Sequence, residues 1–156
     1  MKYIKCLIFI VFFIPAFANA ERWFVDKGGY FSKGTGAVIL GYDPVSYFTA
    51  GKAIKGDPKI NFDYEGGTFF FSSQENLNLF KSNPKNYEPQ YGGFCAYAVG
   101  AKNSLVKADP TVWKIVEGKL YLNYNDSIQK IWAEKMSDYI SKGNLNWPSL
   151  EAKTQE

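Results

Sequence analysis

The sequence predicts a small α+β domain, antiparallel hairpins packed by helices, and three observations carry that prediction. Ile60, Phe62 and Tyr64 alternate with polar residues, and Gly66-Gly67 then turns the chain into Thr68-Phe69-Phe70-Phe71, which is the pattern of a hairpin. A second pair of apolar segments, residues 114–116 and 120–124, flanks a Glu117-Gly118 turn. Ile128, Ile131, Trp132, Met136, Tyr139 and Ile140 then fall on one face at helical spacing, the stripe of a helix docked on a core.

Length and composition fit one such domain. A chain of 156 residues with 46% hydrophobic and 18% aromatic residues has apolar surface enough to offset the entropy of ordering it. The expected division is a signal peptide over residues 1–20, an arm over 21–36, the domain over 37–148 and a flexible tail over 149–156.

Lys2 and Lys5 precede an apolar run over residues 6–17 that Pro15 interrupts, and Ala18-Asn19-Ala20 closes it. The run is too short to span a bilayer and ends in a small-x-small cleavage pattern, so export is expected, to the periplasm or beyond. Cleavage after Ala20 removes two lysines and takes the formal charge from +3 to +1. A nearly neutral chain with scattered lysines has no electrostatic footprint for nucleic acid or an anionic membrane.

Cleavage also removes Cys6 and leaves Cys95 without a partner in a compartment where disulfides persist. The chain has no histidine. The usual base for a serine or cysteine nucleophile and the commonest metal ligand are therefore missing, no catalytic constellation is recognisable, and no cofactor is required. The reading leans away from an enzyme.

The elements follow in order. Residues 21–36 mix Trp23, Phe24, Tyr30 and Phe31 with glycines and show no period. Residues 37–40 read as a short buried strand. Asp43-Pro44 starts a short helix that Gly51 ends. Ser72 and Glu75 fit a capping box for a helix carrying Leu77, Leu79 and Phe80 as far as Asn83-Pro84. Asp109-Pro110 repeats the capping signal. Asp126 caps the long helix, Gly143 terminates it, and Trp147-Pro148 reads as a docked turn before the tail. The two flanks also align at an offset of 52: Asp57-Pro58 with Asp109-Pro110, Glu65-Gly66 with Glu117-Gly118, Leu79-Phe80 with Ile131-Trp132, Tyr87 with Tyr139. This offset predicts two related ββα units sharing a core, with residues 87–97 as the joint between them.

Asp43-Pro44-Val45, the hairpin over residues 64–73, Leu79-Phe80 and Asn83-Pro84-Lys85-Asn86-Tyr87 together resemble the YHS domain, over about residues 41–87. The longer frame, residues 41–48 with Tyr91-Gly92-Gly93-Phe94-Cys95-Ala96-Tyr97, resembles the secreted bacterial branch of YHS-domain proteins. In metal-handling relatives of the YHS and TRASH type, cysteines stand after the Asp-Pro-Val element, after the hairpin and in the first turn of the next helix. The resemblance places Ser46, Ser72 and Asn76 there. A serine hydroxyl is a poor soft-metal ligand beside a thiolate.

Candidate ligand-binding residues are Cys95, Tyr91, Tyr97, Gly92, Gly93, Tyr42, Asp43 and Tyr47. Cys95 is either a small packed side chain or a functional thiol; activation would need a helix N-terminus or a lysine such as Lys102 or Lys107. The tyrosines either pack at the core edge or, with Asp43, supply hard oxygen ligands to a ferric ion. Three functions compete: an exported binding or accessory module with a pocket near the cysteine stretch, a thiol-redox or metal-handling protein acting through Cys95, and a docking domain without a small-molecule site. The sequence specifies neither ligand nor oligomeric state.

Overall fold

The computed structural model describes residues 36–153; the leader, nearly all of the N-terminal arm and residues 154–156 lie outside the described residues. Among the described residues, helices and strands alternate as two small antiparallel sheets of two strands each with five helices.

The first hairpin pairs β1 (Asp57–Tyr64) with β2 (Gly67–Phe71), and α2 (Gln74–Ser82) follows it; the short α1 (Ser46–Thr49) precedes it. The second pairs β3 (Asp109–Val116) with β4 (Lys119–Asn123), then α4 (Asp126–Glu134), and α3 (Ala96–Lys102) precedes it. Both hairpins and the helices that follow begin and end 52 residues apart. The irregularity also repeats: pairing slips between Asp57 and Asn61 in one hairpin and between Asp109 and Trp113 in the other. Single bridges join Ala37 to Thr68 and Pro89 to Leu120, and Tyr42 to Lys55 and Phe94 to Lys107, again at the same offset. The expected repeat is therefore present element by element.

Each unit closes on an aromatic pair in equivalent positions, Phe69 with Phe80 at 4.8 Å and Tyr121 with Trp132 at 5.7 Å between ring centroids. Tyr47 ties the units together. Its ring meets Trp113 edge-on at 5.2 Å and its hydroxyl donates to Pro110 O at 2.9 Å. The buried residues of both units form one core.

Several local expectations are corrected. Residues 37–40 are not a strand: Ala37 makes a single bridge and Val38–Gly41 is a 3-10 turn, with Ile39 and Leu40 at positive φ. The cap of α2 is Ser73, whose hydroxyl accepts from Asn76 N, because Ser72 is drawn to Asp43. The cap of α4 is Asn125, accepting from Ile128 N, rather than Asp126. Asp109-Pro110 begins a strand, its carboxylate engaging Thr111 N and Oγ1.

The long helix breaks at Lys135, the counterpart of Asn83 where α2 ends, and resumes as α5 (Met136–Lys153). Gly143 does not end α5. A Cβ there would stand 2.6 Å from the Tyr91 hydroxyl, so the glycine serves a close approach between helix and ring. Trp147-Pro148 is likewise no turn, and the tail expected from residue 149 is helical to Lys153, with Leu150 buried.

Candidate functional site

Asp43 and Cys95 stand at corresponding positions of the two units. Asp43 N donates to Ile54 O and Cys95 N to Val106 O, both at 2.8 Å. What surrounds the two side chains differs.

The Asp43 carboxylate is fully buried. Its Oδ1 accepts from Val45 N at 2.9 Å, and its Oδ2 accepts from Ser72 N, Ser72 Oγ and Asn76 Nδ2 at 2.8, 2.6 and 2.6 Å. Ser46 Oγ shares its proton between the carbonyls of Asp43 and Lys52 at 2.7 and 2.9 Å and accepts from Ile54 N. Of the three positions that the resemblance assigns to metal-binding cysteines, Ser72 and Asn76 are thus committed to an internal carboxylate and Ser46 to backbone groups beside it. They do not fit a soft metal ion, because the carboxylate already has four donors and no thiolate is present.

In the second unit the counterparts of Asp43, Ser46, Ser72 and Asn76 are Cys95, Ala98, Tyr124 and Ile128. There they line a hollow of about 180 Å³ together with Tyr97, Lys102, Ser104 and Val106. The hydrogen-bonded cluster of the first unit has no counterpart at these positions. The Cys95 sulfur at the hollow is almost wholly buried and contacts Asn123 Oδ1 at 3.8 Å. Burial pushes its thiol up; the backbone amides of Ala98, Tyr124 and Tyr97 act in the opposite direction without offsetting it. The thiol is therefore held protonated near neutrality and is a poor nucleophile in the resting fold.

A second, larger cleft of about 360 Å³ lies alongside, lined by Leu40, Tyr42, Lys55, Lys107, Ala108, Asp109, Pro110 and Tyr124. Lys55 Nζ sits 4.3 Å from the centre of the Tyr42 ring and donates to Leu40 O. Tyr124 borders both spaces and is 55% exposed.

The eight candidate residues therefore separate. Cys95 and Tyr97 line the hollow and Tyr42 the cleft. Asp43 is bound internally, and Tyr47 is spent on packing between the units, its hydroxyl pushed up chiefly by burial. Tyr91 points at α5, its hydroxyl lying 3.1 Å from Ile140 O and 3.0 Å from Asn144 Oδ1, and burial pushes it up as well. Gly92 and Gly93 form a 3-10 turn at φ 59° and 84°, matching Leu40 and Gly41 in the first unit, and so shape the joint between the units. Sequence reasoning missed Tyr124, Lys55 and the hollow's wall at Ala98 and Ile128. The 52-residue offset was the signal that pairs Lys55 with Lys107.

The fold and these two spaces define a two-unit α+β domain. Residues 45–91 match the family model of the YHS domain, so this chain carries a YHS domain, a family associated with metals. The match covers α1 through α2 of the first unit, beginning just after Asp43 and stopping short of Cys95. No curated protein and no solved structure matches the chain. Among the described residues no group of three or more His, Cys, Asp or Glu side chains could hold a metal ion, and no helix is long and apolar enough to cross a membrane.

Proposed function

We propose that the chain is an exported binding or accessory module of the YHS type whose ligand occupies the hollow beside Cys95. The observation that carries this reading is the contrast at one position of the repeat, where the Asp43 carboxylate is held by four donors and Cys95 instead borders a hollow. The hollow is mainly apolar with a few polar groups at its edge, as small-ligand sites are, and its volume of about 180 Å³ suits a short ligand. Export rests on the leader pattern of residues 1–20, and N-terminal sequencing of the processed protein should begin at Glu21.

Amide chemical-shift titration of the processed protein with 1-octanol tests the binding reading. Shifts confined to Ala98, Ser104, Tyr124 and Ile128 support it, provided that Ile128→Trp, which fills the mouth, abolishes them. Absence of saturable shifts in the parent protein leaves the docking reading ahead. The thiol-redox reading requires Cys95 to react in the native fold, and its buried, protonated state argues against that.

A further inference from the structure

Rings across this domain pair with one another, as Tyr47 does with Trp113 and Tyr121 with Trp132. Tyr124 does not. It has no ring contact among the described residues, stands 55% exposed, and lines the hollow beside Cys95. A second ring of the lining, Tyr97, is fixed by an edge-on contact with Tyr139 at 5.3 Å and 74°. In the first unit the counterparts of Cys95 and Tyr124 are the hydrogen-bonded pair Asp43 and Ser72. A sulfur and a ring thus replace a carboxylate and a hydroxyl. The remaining lining, Ala98, Lys102, Ser104, Val106 and Ile128, presents an apolar surface, so an ion entering the hollow would leave water without compensation. The volume of about 180 Å³ compares with the cavity of about 150 Å³ that takes up a benzene in an engineered protein core.

From this lining we propose that the hollow is a site for a single uncharged aromatic ring, seated beside the Cys95 sulfur and paired with the otherwise unpaired ring of Tyr124. This rests on the binding reading above and names its ligand class. A ring that meets Tyr124 and Tyr97 edge-to-face or offset gains more than its burial, because the positive edge of one ring lies against the negative face of another. The polarisable sulfur adds a further contact that favours a ring. A saturated ring of the same size gains only by leaving water.

Titration of the processed protein with benzyl alcohol and cyclohexylmethanol, followed through the methyl resonances of Ala98, Val106 and Ile128, tests it. The two alcohols share their size and hydroxyl and differ in the ring. The saturated one is the more hydrophobic, so burial alone would favour it. Benzyl alcohol should nevertheless bind more tightly, and its ring current should move those methyl resonances. Tyr124→Leu, which keeps apolar bulk at an exposed position, should weaken benzyl alcohol by about fivefold, the size of one ring–ring contact, and leave cyclohexylmethanol unchanged. Unchanged binding of cyclohexylmethanol also reports that the variant is folded, and Tyr124→Phe, which keeps the ring, should bind both alcohols as the parent does. Equal affinities, or tighter binding of the saturated ring, overturn the aromatic proposal while leaving the binding reading standing. A preference for benzyl alcohol undiminished in Tyr124→Leu overturns the pairing with that ring, and shifts from neither alcohol overturn the binding reading itself.

Discussion

Asp43 and Cys95 occupy one structural position in two successive units: each donates its backbone N–H across the unit at 2.8 Å, yet one side chain closes its surroundings and the other borders a hollow. A carboxylate at this position recruits Ser72 and Asn76; a thiol beside Ala98 and Ile128 recruits nothing comparable. Four differences between the units thereby set a hydrogen-bonded carboxylate cluster in one against a thiol beside a hollow in the other.

If the Asp43 cluster is structural, Asp43→Ala should cost about 3 kcal/mol, because the buried donor Val45 N and the part-buried donors Ser72 N and Asn76 Nδ2 lose their acceptor together. Urea denaturation measures this. A loss below about 1 kcal/mol would mean that water replaces the carboxylate at little cost.

Cys95 should be unreactive toward a chromogenic disulfide reagent at neutral pH in the native protein and should titrate fully in denaturant. Burial and the upward shift of the thiol both point this way. Native-state reaction as fast as that of a small free thiol would revive the redox reading.

The same shift fixes a pH dependence. The fold holds the protonated thiol above its ordinary value of 9.0, so the associated stability is whole below about pH 9. It is lost as pH rises from there through the raised folded value. Tyr47, Tyr91 and Tyr121, also raised by burial, add to the decline only from their ordinary value of 10.0 upward. Stability measured between pH 9 and 10 should therefore fall less steeply in Cys95→Ala than in the parent. Equal slopes would contradict the assignment.

Gly143→Ala separates helix propensity from packing. Alanine inside an exposed helix normally stabilises by about 1 kcal/mol over glycine. Here the added methyl would lie 2.6 Å from the Tyr91 hydroxyl, so destabilisation of about 1–3 kcal/mol is expected, partly relieved by Tyr91→Phe. A rise in melting temperature for Gly143→Ala would show that Tyr91 does not pack there.

Both hairpins, the short helix after Asp43 and the 52-residue offset were legible because alternation, turn residues and caps are local signals. What depended on partners distant in sequence was not. Ser72 fits a cap by spacing, but the Asp43 carboxylate claims it and Ser73 caps instead. Gly143 reads as a terminator until Tyr91 is seen against it. In the site, Cys95 and Tyr97 were recognisable from an unusual stretch, whereas Tyr124 is an ordinary residue just beyond a strand. Its place between two cavities arises only when the units dock. Lys55 and Lys107 similarly carry no local pattern and acquire a shared setting from the repeat.

The most direct measurement of the central claim is a crystal structure of the processed protein soaked with 1-octanol. The account predicts ordered hydrocarbon density against Cys95, Ala98, Tyr124 and Ile128, with the equivalent position at Asp43 filled by Ser72 and Asn76. A hollow closed by side-chain collapse, with the alcohol absent or bound elsewhere, would contradict it.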